Sequence, residues 1–128
     1  MAIKVFKRKP EFVDERGFIS RTINNSKFPI KSVLYIERKA GTVSANHYHK
    51  KDAHYIYCLK GKIKYYEKDM RKNGKVSFAI LTPGDLVLSK PMMGHATEFL
   101  EDTVLLAFTA KTRNHKAYED DTVRIKII

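Results

Sequence analysis

Apolar and aromatic residues occur along this chain in short runs that are rich in Val, Ile, Tyr and Phe, with turn residues between the runs. Short runs of this composition, bounded by Gly, Pro, Asn and Asp, are typical of β-strands. No segment keeps the three-to-four-residue apolar spacing of an amphipathic helix over about ten positions. The pattern predicts strands at residues 3–7, 18–22, 32–37, 43–49, 54–59, 62–68, 76–81, 86–89, 95–99, 104–109 and 122–127.

Tight-turn sequences separate several of these strands: KAGT from Lys39, LKGK from Leu59, KNGK from Lys72 and TPGD from Thr82. Such turns predict antiparallel hairpins. The polar segment 111–121 is predicted as a loop, and the last strand pairs either within the domain or across a dimer. Many short strands hide their edges best in two packed sheets or a closed barrel. We therefore predict an all-β sandwich or jelly roll in which residues 1–128 form a single domain.

The composition adds a strongly basic surface to this picture. Lys and Arg number 25 against 14 Asp and Glu, which gives a formal charge of +11. A field of this sign attracts phosphates, nucleic acid or an anionic membrane. The basic residues are spread along the chain, however, and form neither a helical stripe nor a known nucleic-acid motif. We therefore expect no nucleic-acid partner.

The single cysteine, Cys58, excludes an intrachain disulfide and a cysteine zinc cluster. Its apolar neighbours predict a buried, unreactive thiol. The N-terminal residues lack the apolar core of a signal peptide, and no apolar run is long enough to cross a membrane. We expect a cytoplasmic protein with no membrane partner.

The segment NHYHKKDAHYIYCLKGK, residues 46–62, carries three of the five histidines. Because alternate side chains of a strand share one face, His47 and His49 project together. His54 follows after a four-residue turn, near the start of the next strand. His95 lies on a later strand that follows Gly84 and Pro91. The strands of a barrel can bring all four imidazoles together.

The spacing of Gly41, His47, His49, His54 and Gly61, followed by that of Gly84, Pro91 and His95, resembles the two motifs of the cupin superfamily. Cupins fold as a double-stranded β-helix, or jelly-roll barrel. The metal-binding cupins hold an ion with His, His, Glu and His at these positions. Here His54 stands in place of the glutamate. The resemblance implies, as one alternative, a metal site formed by His47, His49, His54 and His95.

A closer resemblance extends over nearly the whole chain. It is carried by DERGFISRTINNSKFPIKSVLYIERKAG (residues 14–41), HYHKK (47–51), YCLKG (57–61) and PMMGHATEFLEDTVLLAF (91–108). These segments are similar to the small cupins that act on nucleotide-linked 4-keto-6-deoxy sugars, the 3,4-ketoisomerases, and more distantly to the dTDP-4-dehydrorhamnose 3,5-epimerases. The resemblance implies an isomerase of deoxysugar and surface-polysaccharide biosynthesis that needs no cofactor.

The family chemistry is proton transfer. A base removes the hydrogen on C3 next to the C4 ketone, and return of a proton to C4 moves the carbonyl to C3. The resemblance makes His49 the base, His47 its partner and Tyr35 a hydrogen-bonding or proton-donating group. It assigns Arg16 to the diphosphate, whose two oxygens a guanidinium can bind together. The other expected substrate contacts are Lys51, Tyr57, His54 and His95.

The chain departs from the family at two places. Relatives carry Arg-Gly before the first histidine, where this chain has Ser44, Ala45 and Asn46, and the ketoisomerases lack a histidine at position 54. Three functions are left open: the ketoisomerase or a related epimerase, a metallocupin that binds Fe, Zn, Ni or Mn, and a cupin that only binds a small molecule. A homodimer is expected in the first case.

Overall fold

The computed structural model describes residues 3–128, which form two antiparallel sheets packed face to face and a separate two-stranded hairpin. The elements are β1 Glu11–Asp14, β2 Gly17–Ile19, β3 Ser32–Arg38, β4 Val43–His49, β5 His54–Lys60, β6 Ile63–Asp69, β7 Ser77–Leu81, β8 Leu86–Ser89, β9 Met93–Phe99, β10 Thr103–Thr109, α1 His115–Asp121 and β11 Thr122–Arg124.

The first large sheet has the strand order β3-β10-β5-β8, and the second has the order β11-β4-β9-β6-β7. The chain crosses repeatedly between the two, and every paired strand is antiparallel to its neighbour. This is a jelly roll, so the predicted all-β barrel is confirmed. Strand alternation is clearest in β10, where every second residue from Thr103 to Thr109 is buried.

The two sheets share one apolar core. Its members are Ile56, Cys58, Ile63, Tyr65, Leu81, Val87, Phe99 and Leu105. Cys58 is fully buried, as the sequence predicts, and burial raises the pKa of its thiol to about 11. Ile56, Phe99 and Leu105 also form part of the wall of a cavity between the sheets. The core therefore supports the site described below.

The N-terminal region differs from the prediction. The strand predicted at 3–7 is wrong apart from Phe6, which makes an isolated bridge with Leu86. Ile3 and Val5 pack against the core, but residues 7–9 are cationic and exposed, so no apolar face continues the strand. Instead Glu11–Asp14 pairs with Gly17–Ile19 across a tight turn, which shortens the strand predicted at 18–22.

The C-terminal region contains a helix that the sequence pattern does not reveal. Helix α1 has only seven residues, too few to show a helical period, and the side chain of Asn114 caps it by accepting a hydrogen bond from the Ala117 N–H. The last strand is confirmed at Thr122–Arg124 only. It pairs with β4 of the same chain, which settles the choice that the sequence leaves open.

Candidate active site

A cavity of about 150 Å³ lies between the two sheets and opens beside α1. Apolar side chains of β3, β5 and β10 form one wall, and β4 and β9 form the other. Imidazoles, two guanidinium groups and a phenol supply the polar part of the lining. The polar and aromatic lining residues are Arg38, Ser44, His47, His54, His95, Thr97, Arg113 and Tyr118.

Four imidazoles cluster beside this cavity, and three of them, His47, His54 and His95, line it. They come from β4 and β9, which pair in one sheet, and from β5 of the other sheet. His47 and His49 share the inner face of β4, and His95 of β9 is the direct cross-strand partner of His47. The ring of His47 lies 4.7 Å from the rings of His49 and His95, and His49 lies 4.7 Å from His54. The structure thus brings together the four histidines that the sequence singles out.

A bulge in β4 sits just before the first of these histidines. Ala45 and Asn46 have φ values of 69° and 59°, and the register with β9 shifts between Ala45 and His47. The side chain of Asn46 accepts hydrogen bonds from the N–H groups of Ile127 and Ile128 and donates one to the Ile128 carbonyl. The bulge therefore fastens the C-terminal residues against β4.

The hydrogen bonds around His49 fix its tautomer. Thr122 donates its hydroxyl hydrogen to the Tyr118 carbonyl, so its oxygen accepts from His49 Nδ1 at 3.2 Å. A carboxylate oxygen of Asp121 lies 4.0 Å from the same nitrogen. Nδ1 therefore carries the hydrogen and Nε2 carries the lone pair. His49 Nε2 is buried and has no hydrogen-bond partner among the described residues.

His95 is held in the same tautomer by β9 and β8. Its Nδ1 lies 3.2 Å from the Met93 carbonyl oxygen, which can only accept, and 3.1 Å from the Ser89 hydroxyl. The lone pair is therefore on Nε2. Ser89 in turn contacts the buried phenol of Tyr65, which donates to Glu67 at 2.7 Å. Burial raises the pKa of Glu67.

Burial keeps three of the imidazoles neutral. It lowers the pKa of His47 to about 2 and that of His95 to about 3, and the neighbouring histidines add to the effect. The pKa of His49 is lowered to about 4 by burial and by His54, although Asp52 and Asp121 oppose the change. At neutral pH these three rings are bases with free lone pairs.

His54 differs from the other three because a carboxylate contacts it directly. Asp52 Oδ2 accepts a hydrogen bond from His54 Nε2 at 2.8 Å, and both side chains are buried. The other oxygen, Asp52 Oδ1, accepts from the backbone N–H groups of Ala53, Ala110 and Lys111. Asp121 accepts from the N–H groups of Lys51 and Asp52. These bonds fasten the turn between β4 and β5 to both ends of the segment that contains α1.

Two guanidinium groups line the cavity. Arg38 donates to the Ser44 hydroxyl at 2.8 Å and to the Glu37 carbonyl, and Arg113 lies 3.8 Å above the ring of Tyr118. Neither contacts a carboxylate of the described residues, whereas Arg16, Arg21, Arg71 and Arg124 all do. Arg38 therefore brings a cation to Ser44.

Five sequence-predicted residues are absent from the cavity lining: His49, which is buried against His47 and His54, and four residues that lie elsewhere. Tyr35 is 63% exposed, because Leu34 and Ile36 take the inward positions of β3. Tyr57 points outward for the same reason, since His54, Ile56 and Cys58 take the inward positions of β5. Lys51 is exposed on the β4–β5 turn. Arg16 lies in the β1–β2 turn, paired with Asp14 at 2.7 Å. Their assigned roles stay predictions.

Sequence reasoning missed five residues that build the site: Arg38, Asp52, Arg113, Tyr118 and Thr122. The ring of Tyr118 lies 5.5 Å from that of His49, so the tyrosine beside His49 comes from α1. Asp52 could have been suspected from the sequence, because a carboxylate two residues before His54 is close enough to contact it. Arg113, Tyr118 and Thr122 depend on the segment with α1 and β11 folding back onto β4, which no local pattern shows.

The cavity also offers a set of metal donors. His47, His49 and His95 place one ligand nitrogen each within 4.8 Å of one another. Neutral imidazoles that are oriented by a second hydrogen bond are the usual ligands of Zn, Fe, Ni and Cu. The unpartnered Nε2 of His49 fits such a role. His54 is set apart, because its Nε2 is engaged with Asp52.

No helix among the described residues is long and apolar enough to span a membrane.

Comparison with known proteins gives one family. The family model FdtA, described as WxcM-like, C-terminal, matches residues 3–126. A search of curated proteins finds no match.

Many solved structures share the fold. The QdtA 3,4-ketoisomerase from Thermoanaerobacterium thermosaccharolyticum, as a double mutant in complex with TDP, has a TM-score of 0.74 and 26% identity over 95% of this chain and 86% of that chain. A 3,4-ketoisomerase from Helicobacter canadensis has a TM-score of 0.76 and 22% identity over 97% and 91%. The dTDP-4-dehydrorhamnose 3,5-epimerase from Bacillus anthracis, with TDP and PPi bound, has a TM-score of 0.80 and 17% identity over 96% and 78%.

Proposed function

Since this chain belongs to the family described as FdtA, WxcM-like, C-terminal, we propose that it is an isomerase of a nucleotide-diphospho 4-keto-6-deoxy sugar. It moves the carbonyl from C4 to C3 by proton transfer within the jelly-roll cavity. The 26% identity with a 3,4-ketoisomerase over most of both chains supports this reaction above the related epimerisations.

One observation carries the proposal: His49 presents an unpartnered lone pair in a buried, neutral cluster. Its Nδ1 is satisfied by Thr122, so Nε2 is the nitrogen that can accept a proton. A ketone at C4 makes the C3 hydrogen acidic, and the lowered pKa of His49, about 4, keeps its lone pair unprotonated at neutral pH and able to accept that hydrogen as a proton. His49 is therefore the base, and His47 and His95, which are neighbours in the cavity lining, contact the sugar.

The cations at the cavity support a diphosphate substrate. Within residues 3–128, neither Arg38 nor Arg113 forms a salt bridge with a carboxylate, so their charge is available to phosphate oxygens. We assign the diphosphate to these two residues. The net charge of +11 further favours the approach of a dianionic nucleotide sugar.

The proposal is tested by adding purified protein, with excess chelator, to TDP-4-keto-6-deoxyglucose in deuterated water and following the sugar ring by NMR. Deuterium at C3 or C4 together with a moved carbonyl establishes the ketoisomerase. Deuterium at C3 and C5 with inverted centres would instead establish an epimerase. A rise in Tm on addition of the nucleotide sugar, without any turnover, would indicate that the protein binds the ligand but does not convert it.

Replacement of His49 tests whether this residue is the general base. His49→Asn should lower kcat by at least about 100-fold, the usual contribution of a general base, while Tm and the Kd for TDP change little. His115→Asn is the matched control, because His115 is an exposed histidine of α1. Full activity in the His49 variant would show that His49 is not the base.

The diphosphate assignment makes a separate prediction. Arg38→Gln and Arg113→Gln should each raise KM by about tenfold, because each removes a charge-assisted hydrogen bond, whereas kcat should change less. Arg71→Gln, an exposed arginine already paired with Asp69, is the control. An unchanged KM in both cavity variants would show that neither arginine binds the diphosphate.

A metal-dependent cupin is the second candidate, and the three convergent lone-pair nitrogens favour it. His47, His49 and His95 would hold the ion, which would polarise a substrate oxygen. Elemental analysis of protein purified without chelator measures this directly. Near-stoichiometric metal that falls sharply in His95→Gln, with activity lost on chelation, would support the metal site. Full activity in chelator would exclude a metal requirement.

We also propose that the protein is a homodimer. β3 is an edge strand whose outer face exposes Val33 and Tyr35, and the β1–β2 hairpin exposes Phe12, Val13 and Ile19. Apolar edges of this kind are usually covered by another chain. Light scattering after size exclusion should give twice the chain mass of 14.8 kDa. A single-chain mass would contradict the dimer.

A further inference from the structure

One wall of the cavity is aliphatic in its centre. Five side chains of β3, β5 and β10 form this part of the wall: Leu34, Ile36, Ile56, Leu105 and Ala107. The opposite wall, on β4 and β9, carries hydroxyl groups and imidazoles. Burying a hydroxyl group against hydrocarbon without a hydrogen bond is unfavourable. The cavity is therefore suited to a ligand that has a polar edge and one apolar group.

The aliphatic wall has a notch at Ala107. In the register of the sheet, Ala107 lies directly between Leu34 of β3 and Ile56 of β5. The side chain of alanine is a single methyl group, whereas both neighbours are branched and larger, so this row is lowest at its middle. Ala107 is buried. A small group that enters the notch is therefore removed from water.

The polar side chains of the neighbouring row have partners within the chain. This row contains Thr109 of β10 and its cross-strand partner His54. Thr109 donates its hydroxyl hydrogen to the Lys111 carbonyl at 2.6 Å, and His54 Nε2 is bound to Asp52 at 2.8 Å. A hydroxyl group seated in the notch would exchange its hydrogen bonds with water for contacts with carbon. The notch therefore favours a hydrocarbon group.

The proposed substrate class has a group of this kind. A 6-deoxy sugar differs from the corresponding hexose only at C6, where a methyl group replaces a hydroxymethyl group. The other substituents of the ring carry oxygen atoms, which match the polar wall formed by β4 and β9. The C6 methyl group is the ring substituent that the aliphatic wall can accept without loss of a hydrogen bond.

We propose that Ala107 determines the specificity for 6-deoxy sugars, because the notch between Leu34 and Ile56 holds the C6 methyl group; this rests on the proposed function for the class of ligand. The methyl group anchors the ring on the aliphatic wall. The oxygen atoms of the ring then face His47 and His95 on the opposite wall. Ala107 acts on binding and takes no part in the proton transfer.

The experiment measures the Kd of three ligands by isothermal titration calorimetry: TDP-6-deoxyglucose, TDP-glucose and TDP. The two sugars differ by one oxygen atom at C6, and neither can isomerise because neither has a ketone. The wild-type protein should bind TDP-6-deoxyglucose about 10-fold to 100-fold more tightly than TDP-glucose, which is the discrimination that an apolar pocket achieves against an added hydroxyl group. Equal Kd values for the two sugars would overturn the role of the notch.

The Ala107→Ser variant tests the polarity of the notch. It adds one hydroxyl group that can hydrogen-bond the oxygen on C6, so the preference for the 6-deoxy sugar should fall by about 10-fold. The Kd for TDP should stay at the wild-type value, because TDP lacks the hexose. Ala96→Ser is the matched control, since Ala96 is a buried alanine of β9 that does not line the cavity. A wild-type preference in the Ala107→Ser variant would contradict the proposal.

The Ala107→Val variant tests the size of the notch. Two added carbon atoms fill it, so the Kd for TDP-6-deoxyglucose should rise by about 10-fold or more while the Kd for TDP changes little. Overpacking a core can destabilise it, so Tm is measured first. If the valine variant does not fold, the serine variant, which adds a single oxygen atom, decides. An unchanged Kd in a folded valine variant would show that the methyl group lies elsewhere.

Turnover of TDP-4-keto-6-deoxyglucose by the wild-type protein separates this role from the proposed function. If the protein isomerises the keto sugar but binds the two stable sugars equally, the function stands and the role of Ala107 is wrong. If it isomerises nothing, yet prefers the 6-deoxy sugar and loses that preference in Ala107→Ser, the methyl site stands and the function is wrong. Binding of neither sugar would overturn the methyl site.

Discussion

The hydroxyl of Thr122 decides which nitrogen of His49 is free. It donates its only hydrogen to the Tyr118 carbonyl and so presents a lone pair to His49 Nδ1. Without this acceptor, the imidazole could place its hydrogen on either nitrogen. The base proposed for the reaction therefore depends on a residue that has no proton-transfer role of its own.

Replacement of Thr122 tests this dependence. Thr122→Val keeps the shape of the side chain but removes the acceptor, so part of the His49 population should adopt the tautomer that cannot take a proton at Nε2. We expect kcat to fall by about 10-fold to 100-fold with little change in KM, measured by steady-state kinetics. Thr122→Ser should restore most of the activity. Equal kinetics in the valine and serine variants would contradict this account.

The residues of the site differ in how far the sequence predicts them. His47 and His49 are predictable because strand alternation has a period of two and is read from neighbouring positions. Thr122 contributes through the pairing of β11 with β4, in which it is the direct partner of His49. More than seventy positions separate the two residues, so only the sheet register brings them together.

Among the elements, the bulge of β4 links the site to the C-terminus. Asn46 takes a φ of 59°, a left-handed conformation that asparagine tolerates better than most residues. Its side chain holds Ile127 and Ile128 through three hydrogen bonds. The residues after β11 are thereby held against β4 without a continuous strand ladder.

Two substitutions at Asn46 separate these contributions. Asn46→Gly loses the hydrogen bonds but keeps the backbone freedom, so it should lower the free energy of unfolding by about 1–2 kcal/mol. Asn46→Ala also carries the left-handed penalty and should be lower by about a further 1 kcal/mol. Urea unfolding measures both values. An alanine variant as stable as the glycine variant would show that the backbone conformation at 46 costs nothing.

The sequence predicts the central strands better than the helix and the N-terminal region, for a physical reason. Strands β3 to β10 contain enough alternating apolar residues to be located from sequence. Helix α1 has only about two turns, mostly of polar residues, and its N-cap and the neighbouring β11 hold it, so its sequence shows no helical period. The predicted strand at 3–7 had apolar alternation but no partner beyond Leu86.

At the scale of the whole molecule, the neutral histidine cluster should make the fold sensitive to acid. In the unfolded chain these residues have a pKa near 6.5, whereas in the folded chain the pKa values of His47, His49 and His95 are about 2, 4 and 3. Below pH 6.5 the unfolded chain binds protons that the folded chain does not. The stabilising contribution is therefore complete above pH 6.5 and is lost as the pH falls toward the folded values.

Urea unfolding between pH 7.5 and pH 5, in the presence of a chelator, checks this prediction. Each fully shifted histidine adds a slope approaching about 1.4 kcal/mol per pH unit in that window, where carboxylates with lowered pKa values titrate little. His95→Gln should lose stability less steeply than the wild type as the pH falls. Parallel curves for the two proteins would mean that His95 binds a proton in the folded state.

The two carboxylates that fasten the β4–β5 turn have a consequence for how the cavity opens. Asp121 holds the N–H groups of Lys51 and Asp52, and Asp52 holds those of Ala110 and Lys111, at the two ends of the segment that carries Arg113 and Tyr118. These four amide hydrogens should exchange with solvent together, because breaking one contact loosens the others. We therefore expect this part of the cavity rim to open as one cooperative unit.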